Sequence, residues 1–266
     1  MDDPARDSFP AAAWWRRILQ ATGRLPGRLG EHLGSLLASQ CLLCGAATER
    51  DPVCTACANE LPSMAATASC PCCGEGGSGG EICGRCLRRP PPFATTVAAW
   101  RYAFPADRLV QALKYQHRLA LADWFGRQLA SRMHLADYDW IVPLPLHPER
   151  LAERGFNQSQ LIAEALAKCL QRPVDRDSLV RIRPTPPQAA LAYRRRQANV
   201  RGAFACQRDF RAQRLLLVDD VMTTGATLRE AARVLRLHGA AEVGLAVVAR
   251  AQRDDRRILL GTGSMV

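Results

Sequence analysis

LLLVDDVMTTGATL, residues 215–228, is the stretch that decides the fold class of this 266-residue chain. Its four apolar residues, Leu215–Val218, predict a strand that is buried on both faces of a sheet. Asp219 and Asp220 follow at the carboxyl end, where open α/β sheets bind ligands. The stretch therefore predicts a ligand site at one edge of a mostly parallel sheet.

The turn after the two acids is rich in small and hydroxyl-bearing residues, namely Thr223, Thr224, Gly225, Ala226 and Thr227. Small residues let backbone amides approach an anion, and the start of the following helix adds a favourable potential. Acceptors for sugar hydroxyls thus lie beside donors for a phosphate, which suits a ribose 5-phosphate. The turn lacks the Gly-Lys-Ser/Thr of a Walker A loop and the GxGxxG of dinucleotide sites. A strand ending in an ordinary polar turn, or an Asp-Asp metal site for phosphoryl transfer, remain alternatives.

Strand-like and helix-like segments alternate on either side of this stretch, which predicts an α/β fold with a mostly parallel central sheet flanked by helices. Strands are predicted at residues 95–102, 139–146, 214–221 and 243–250, and helices at 106–115, 122–133, 155–171 and 228–239. The chain is expected to divide into an N-terminal helical segment at 1–40, a cysteine module at 41–88, the α/β domain at 94–251 and a flexible tail at 252–266.

Nine of the eleven cysteines lie between Cys41 and Cys86, in two sets with the same spacing. Each set has two CxxC pairs separated by nine residues, which predicts two structural zinc sites with four sulfur ligands each. The predicted ligands are Cys41, Cys44, Cys54 and Cys57, and then Cys70, Cys73, Cys83 and Cys86. Cys73 is preferred to its neighbour Cys72. An iron–sulfur centre or a thiol redox pair remains the alternative.

The formal net charge of +11 favours phosphate-rich partners such as nucleotides, sugar phosphates or nucleic acid, although an arginine-rich composition alone gives the same charge. No stretch of about 18 apolar residues predicts a transmembrane helix. The first ten residues, MDDPARDSFP, are acidic and unlike a secretory signal, so a cytoplasmic location is expected.

Taken together, these motifs resemble a known family. VDDVMTTGAT is similar to the phosphoribosyl-pyrophosphate signature of type I phosphoribosyltransferases. The cysteine sets resemble the ComF family, as do LKY at 113–115, VPLPLHPERLAERGFNQ at 142–158, and Gln188 with Arg196-x2-Asn199. Proteins of that family join a double zinc ribbon to a phosphoribosyltransferase domain. The resemblance covers roughly residues 36–251 and implies a type I phosphoribosyltransferase fold behind a small N-terminal zinc-ribbon module.

The resemblance also implies roles for individual residues. Asp219 and Asp220 would hold the ribose hydroxyls, and Thr223–Thr227 the 5-phosphate. Pyrophosphate is expected to bind along the backbone of the segment Leu144, Pro145 and Leu146, with side-chain donors from Arg150, Arg154 and Lys114. The alternative for the two arginines is a solvated helix face, and for Lys114 an exposed helix position. Mg²⁺ is expected to bridge pyrophosphate and ribose, and no residue is identified as a general base.

The segment 181–201 holds six arginines and no acid, which suits a mobile lid over the pyrophosphate. The positions of this segment that best match the family are Arg181, Arg183, Gln188, Arg196 and Asn199. Of these, Arg183 and Arg196 are assigned to catalysis. A solvated basic loop, or contact with a nucleic-acid backbone aided by Tyr193, are the alternatives.

Three functions remain open. The first is an enzyme that transfers ribose 5-phosphate from phosphoribosyl pyrophosphate to an unidentified acceptor. The second is a non-catalytic protein of DNA uptake that binds single-stranded DNA or other competence proteins. The third is a sensor that binds phosphoribosyl pyrophosphate without turnover. The sequence assigns no oligomeric state.

Overall fold

The computed structural model of the chain describes residues 39–64, 68–133, 138–184 and 200–252. Most of the predicted N-terminal helical segment, the central part of the predicted lid, and nearly all of the predicted tail lie outside the described residues. Ser39 and Gln40, which the sequence analysis placed at the end of the helical segment, instead form a strand.

The cysteine module contains little regular structure. A short antiparallel pair, β1 (Ser39–Gln40) and β2 (Ala47–Thr48), is followed by the one-turn helix α1 (Thr55–Asn59). A second one-turn helix, α2 (Gly84–Arg88), ends the module. Elements this short bury little apolar surface, which agrees with a module that needs metal to be stable.

The rest of the chain alternates strands and helices. In chain order these are β3 (Thr95–Arg101), α3 (Ala106–Gln116), α4 (Ala120–Ala130), β4 (Trp140–Pro143), α5 (Pro148–Arg154), α6 (Gln158–Leu170), β5 (Leu179–Arg181), β6 (Phe204–Cys206), β7 (Arg214–Met222), α7 (Ala226–Leu237) and β8 (Glu242–Arg250). The predicted elements are found within about four residues of their expected bounds. The helix expected from residue 228 already begins at Ala226, inside the small-residue turn.

Four parallel strands form the central sheet in the order β3-β8-β7-β4, as the strand–helix alternation predicted. Residues Leu215–Val218 of β7 have no exposed surface, which confirms the buried strand. The antiparallel pair β5–β6 was not predicted. Each of these two strands has three residues, too few to show a periodicity in sequence.

Alternate residues of the sheet point into two separate hydrophobic cores. Leu216 and Val218 lie in the core that α3, α4 and α6 cover, where the rings of Trp100 and Trp124 stack at 5.2 Å. Leu215 and Leu217 lie in the core that α7 covers on the opposite face. The cysteine module contributes to both cores, with Cys41, Val53 and Leu61 in the first and Cys70, Cys72, Cys73 and Cys86 in the second.

Helices α4 and α6 meet at Gly126. A Cβ added there would lie 2.5 Å from Ala165 Cβ and 2.7 Å from the backbone nitrogen of Leu166, so only glycine permits this approach. The contact fixes α6, which carries polar side chains to the site described next. Within the described ranges, no helix is both long enough and apolar enough to cross a membrane.

Candidate functional site

The carboxyl ends of β4 and β7 bring two predicted site segments together. Pro143 pairs with Val218 in the parallel register, and the Leu144 amide donates to Val218 O at 2.9 Å. Strand β7 continues through Met222, so both acids lie inside it. The segment Leu144–Leu146 therefore begins beside Asp219.

Both carboxylates of the acid pair are nearly inaccessible to solvent, with 8% of Asp219 and 3% of Asp220 exposed. Asp219 Oδ1 accepts hydrogen bonds from Ser159 Oγ at 2.8 Å and from the Asp220 amide at 2.9 Å. Burial and the adjacent Asp220 carboxylate raise the pKa of Asp219 to about 7, because both disfavour its negative charge. The pair is therefore poised to bind a hydroxyl-rich or cationic ligand.

Lys114 reaches this acid pair from α3. Its Nζ lies 2.9 Å from Asp220 Oδ2, and 19% of its side chain is exposed, so the alternative of an exposed helix lysine is wrong. Burial alone would lower the pKa of Lys114, but the carboxylates of Asp220 and Asp219 outweigh that effect and raise it. The ammonium therefore stays charged and offsets part of the negative charge of the acids.

The small-residue turn leads directly into the N-terminal end of α7. Gly225 has a φ of 75°, a conformation that favours glycine, and a Cβ there would lie 2.5 Å from Met222 Cε, so the end of the Met222 side chain would have to move. Thr224 is buried, and its Oγ1 accepts from the Ala226 amide at 3.2 Å. No acidic residue lies in the first turn of α7, so its positive end stays available for an anion.

One asparagine connects the segment Leu144–Leu146 with helix α6. Asn157 Nδ2 donates to Leu144 O at 3.1 Å, while its Oδ1 accepts from the Ser159 amide at 3.1 Å and caps the helix. Because Ser159 also binds Asp219, this side chain links the predicted pyrophosphate segment to the acid pair. The sequence predicts a helix at 155–171, but nothing in that stretch indicates the contacts of Asn157 and Ser159 with the site.

Four arginines of the predicted site occupy different environments. Arg154 is half-buried and donates to Gln158 Oε1 at 2.7 Å, and Arg150 is also half-buried, so neither lies on a fully solvated face. Burial and the positive charge of Arg150 lower the pKa of Arg181, against the opposing effect of Asp219. Arg183 is exposed and donates to Arg201 O at 3.0 Å.

Arg183 and Arg201 stand at the two ends of the predicted lid, whose assigned positions Gln188, Arg196 and Asn199 lie outside the described residues. The roles assigned to all of these residues remain predictions.

Each predicted cysteine set forms a cluster whose four sulfur atoms lie within 4.8 Å of one another. The sulfurs of Cys44 and Cys54 are 3.7 Å apart, and those of Cys73 and Cys83 are 3.8 Å apart. A tetrahedral zinc ion with bonds of about 2.3 Å places its sulfur ligands about 3.8 Å apart, whereas a disulfide requires about 2.05 Å. The two clusters therefore fit zinc and are not disulfides.

Backbone amides support these clusters. The Cys54 amide donates to Cys41 Sγ at 3.4 Å, and the Cys83 amide donates to Cys70 Sγ at 3.3 Å. Hydrogen bonds with Cys44 and Cys54 raise the pKa of Cys57 to about 12, whereas at Cys41 the effect of burial is outweighed by backbone hydrogen bonds, which lower its pKa to about 6.

Cys73 lies in the second cluster, whereas Cys72 lies outside it and donates to Phe93 O at 3.7 Å.

A cavity of about 640 Å³ lies elsewhere, between the first cysteine cluster and the start of α3. Leu42, Leu43, Phe104 and Arg108 are among its lining residues. None of the residues predicted to bind the sugar phosphate lines this cavity, so the cavity is not part of that site.

Comparison with known proteins identifies two domains in the chain. A model of the phosphoribosyl transferase domain matches residues 163–259, and a model of the double zinc ribbon domain matches residues 32–87. The first match includes β7, the acid pair and the turn that follows, and it confirms the expected fold.

The chain is 35% identical over 164 residues to the DNA utilization protein YhgH of Escherichia coli K12, covering 59% of this chain and 72% of that protein. It is 32% identical over 179 residues to Competence protein F of Haemophilus influenzae, covering 62% and 76%. Among solved structures, orotate phosphoribosyltransferase of Mycobacterium tuberculosis with inorganic phosphate aligns with 18% identity and a TM-score of 0.32, over 60% of this chain and 85% of that chain.

Proposed function

We propose, from the premise that the chain belongs to the ComF family, that it binds phosphoribosyl pyrophosphate at the carboxyl end of β7 and transfers ribose 5-phosphate to an acceptor. One observation carries this proposal. The buried pair Asp219 and Asp220 is followed at once by a glycine-containing turn at the positive end of α7. Acceptors for a diol and donors for a phosphate are thereby held a few residues apart on one rigid strand.

The described residues suit three parts of this ligand. The ribose hydroxyls would donate to Asp219 and Asp220, and the 5-phosphate would accept from the amides and hydroxyls of Thr223–Thr227. The pyrophosphate would lie along Leu144–Leu146, where Arg150 and Arg181 supply positive charge. Lys114, paired with Asp220 in the absence of ligand, would remain beside the acids and limit their mutual repulsion.

Magnesium fits the donor set, since carboxylate oxygens are the ligands it prefers and the site offers those of Asp219 and Asp220. When bound with the substrate it would neutralise charge on the leaving pyrophosphate. Arg150 and Arg181 would also stabilise the negative charge of the leaving pyrophosphate electrostatically. In the transfer, the bond from the anomeric carbon to pyrophosphate breaks and a bond to the acceptor nucleophile forms.

Calorimetry with phosphoribosyl pyrophosphate and magnesium tests the binding step. Replacing Asp219 and Asp220 by asparagine should weaken binding about 10- to 100-fold, the cost of losing hydrogen bonds to charged groups. Asp209→Asn is the matched control, because that carboxylate is exposed and paired with Arg211. Equal affinity of wild type and the double variant would refute the assignment. Pyrophosphate release in the presence of candidate acceptors then separates an enzyme from a sensor.

A second candidate function is binding of single-stranded DNA, favoured by an exposed aromatic residue beside the site. Tyr115 is 68% exposed, and the Arg154 guanidinium lies 5.5 Å from its ring centroid. An exposed ring next to a cation suits stacking of an unpaired base. The cysteine module has no aromatic residue between Cys41 and Cys86, so Tyr115 is the better candidate. The names of the relatives, DNA utilization protein and Competence protein F, agree with such a role.

Fluorescence anisotropy with a labelled single-stranded oligonucleotide tests the second function. Binding should weaken steeply with salt, and Tyr115→Ala should cost about 1–3 kcal/mol while leaving the salt slope unchanged. Arg154→Gln should reduce the slope, because it removes a cation. Salt-independent binding, or no effect of Tyr115→Ala, would count against this role.

A further inference from the structure

Arg250, the last residue of β8, has no exposed surface although it carries a full charge. A buried charge is costly unless it is paired and hydrogen-bonded. Its Nη2 lies 3.1 Å from Oε2 of Glu75, which is itself 6% exposed. Glu75 is two residues after Cys73, so the ion pair joins the central sheet to the second cysteine cluster.

The other nitrogens of Arg250 connect that cluster to the small-residue turn, Thr223–Thr227, which is called the phosphate turn below. Nε donates to Cys73 O at 3.0 Å, the backbone of a predicted metal ligand. Nη1 donates to Met222 O at 3.1 Å and also to Thr223 O, the residues at which β7 enters the turn. A single planar guanidinium therefore binds the backbone of the metal cluster on one side and the start of the turn on the other.

Gln252 and Thr96 reinforce the same junction. Gln252 accepts from the Gly76 amide at 2.7 Å and donates to Gly74 O at 3.1 Å. Thr96 on β3 donates its hydroxyl to Cys72 O at 2.7 Å. The loop of residues 70–76 is thus attached to the start of β3 and to the residues that follow β8.

The first cysteine cluster has a different attachment. Cys41 and Val53 pack in the core on the opposite face of the sheet, among residues such as Trp100 and Trp124. An ion pair of 2.7 Å between Asp51 and Arg127 joins it to α4. The chain thus contains two sites of equal sulfur spacing, of which the second contacts the phosphate turn through Arg250.

We propose that Arg250 is a positioning residue for the phosphate turn, and that zinc in the second cysteine cluster holds Arg250 in place. The metal would fix Cys73 and Glu75, these would fix the guanidinium, and the guanidinium would fix the backbone of Met222 and Thr223. The effect on phosphate affinity rests on the proposed function, whereas the effect on the order of the turn does not.

Hydrogen exchange of residues 222–228 tests the coupling. The double variant Cys73→Ser/Cys86→Ser should lose one zinc ion per chain and speed exchange of these amides at least about tenfold. The matched control Cys44→Ser/Cys57→Ser should also lose one zinc ion but leave exchange of 222–228 unchanged. The proposal would be overturned if residues 222–228 exchanged at the same rate in the two double variants, whether that rate was raised in both or unchanged in both.

A second pair of variants keeps all cysteines, in case the first does not fold. Arg250→Met/Glu75→Gln removes both members of the buried ion pair together, and Arg85, which also lies 3.8 Å from Glu75, is partly exposed and still reaches Cys73 Sγ at 3.7 Å. It should retain both zinc ions, speed exchange of 222–228, and weaken phosphoribosyl-pyrophosphate binding in calorimetry about tenfold or more. Unchanged exchange would refute the role of Arg250. Failure of wild type to bind the ligand would refute the proposed function alone, since exchange is measured without ligand.

Discussion

The hydroxyl of Ser159 donates to Asp219 Oδ1 across 2.8 Å, and 1% of the serine and 8% of the aspartate are exposed. The bond favours the ionised carboxylate and limits the rise in the pKa of Asp219 that burial causes. Ser159 stands on α6 and Asp219 on β7, so the bond also fixes the helix against the strand. The orientation of this carboxylate therefore depends on a residue 60 positions away in the chain.

Ser159→Ala should raise the pKa of Asp219 above about 7, because the ionised carboxylate loses a donor. If the ionised form binds the ribose, the pH at which phosphoribosyl-pyrophosphate affinity reaches half its maximum will move upward. Calorimetry from pH 6 to pH 9 measures this shift. Ser131→Ala is the control, since that exposed hydroxyl donates to Gln128 O and lies on α4's C-terminal cap. An unmoved profile for Ser159→Ala would argue against its positioning role.

The raised pKa of Asp219 also predicts how stability depends on pH. Folding favours the neutral carboxyl, so its contribution is complete below the unfolded value of 3.8 and is lost as pH rises through about 7. Between pH 5 and pH 8, the ligand-free wild type should lose roughly 2–3 kcal/mol more unfolding free energy than Asp219→Asn, which does not titrate. Urea unfolding of both proteins at the two pH values measures the difference. Parallel losses in the two proteins would contradict the prediction.

Lys114→Met should destabilise the fold by roughly 1–3 kcal/mol, since it leaves two adjacent buried carboxylates without their cation. This loss is smaller than the roughly 3–5 kcal/mol typical of a fully buried ion pair, because 19% of the lysine side chain is exposed. Lys168→Met, at an exposed position near the end of α6, is the matched control and should change stability by less than about 0.5 kcal/mol. Urea unfolding at pH 7 compares them. Similar losses for both variants would show that the ion pair contributes little.

Gly225→Ala tests the turn itself. Gly225 and Gly155 both have positive φ, at 75° and 80°. A Cβ added at Gly225 would lie 2.5 Å from Met222 Cε, whereas a Cβ added at Gly155 would have no atom within 4 Å. Gly155→Ala should therefore cost about 1 kcal/mol of backbone strain, and Gly225→Ala more. Gly225→Ala should also weaken binding of inorganic phosphate and phosphoribosyl pyrophosphate, measured by calorimetry. Equal binding by the two variants would show that the turn does not hold phosphate.

Sequence reasoning succeeded where a local pattern carries the information. The apolar run Leu215–Val218 and the CxxC spacing each fix a structure within a short stretch, so β7 and both cysteine clusters were predicted with their residues. The strand–helix alternation likewise predicted a parallel sheet.

It failed where a contact depends on how distant elements pack. Lys114 and Asp220 are 106 positions apart, and nothing in either neighbourhood indicates that α3 directs the lysine at β7. Arg250 ends an apolar strand and looks like a charged residue at a solvent-facing end, whereas it has no exposed surface and pairs with Glu75 of the cysteine module. The three-residue strands β5 and β6 fall below the length at which a pattern can be recognised.

The cysteine module is shared between both faces of the sheet, and this has a consequence for engineering the chain. Cys41, Val53 and Leu61 lie in one core, while Cys70, Cys73 and Cys86 lie in the other. A fragment starting at residue 94 would expose apolar surface on both faces of the sheet. It would also remove Glu75, the ion-pair partner of Arg250. The described residues between 39 and 93 are therefore part of the folded core, and a fragment without them should be insoluble when expressed.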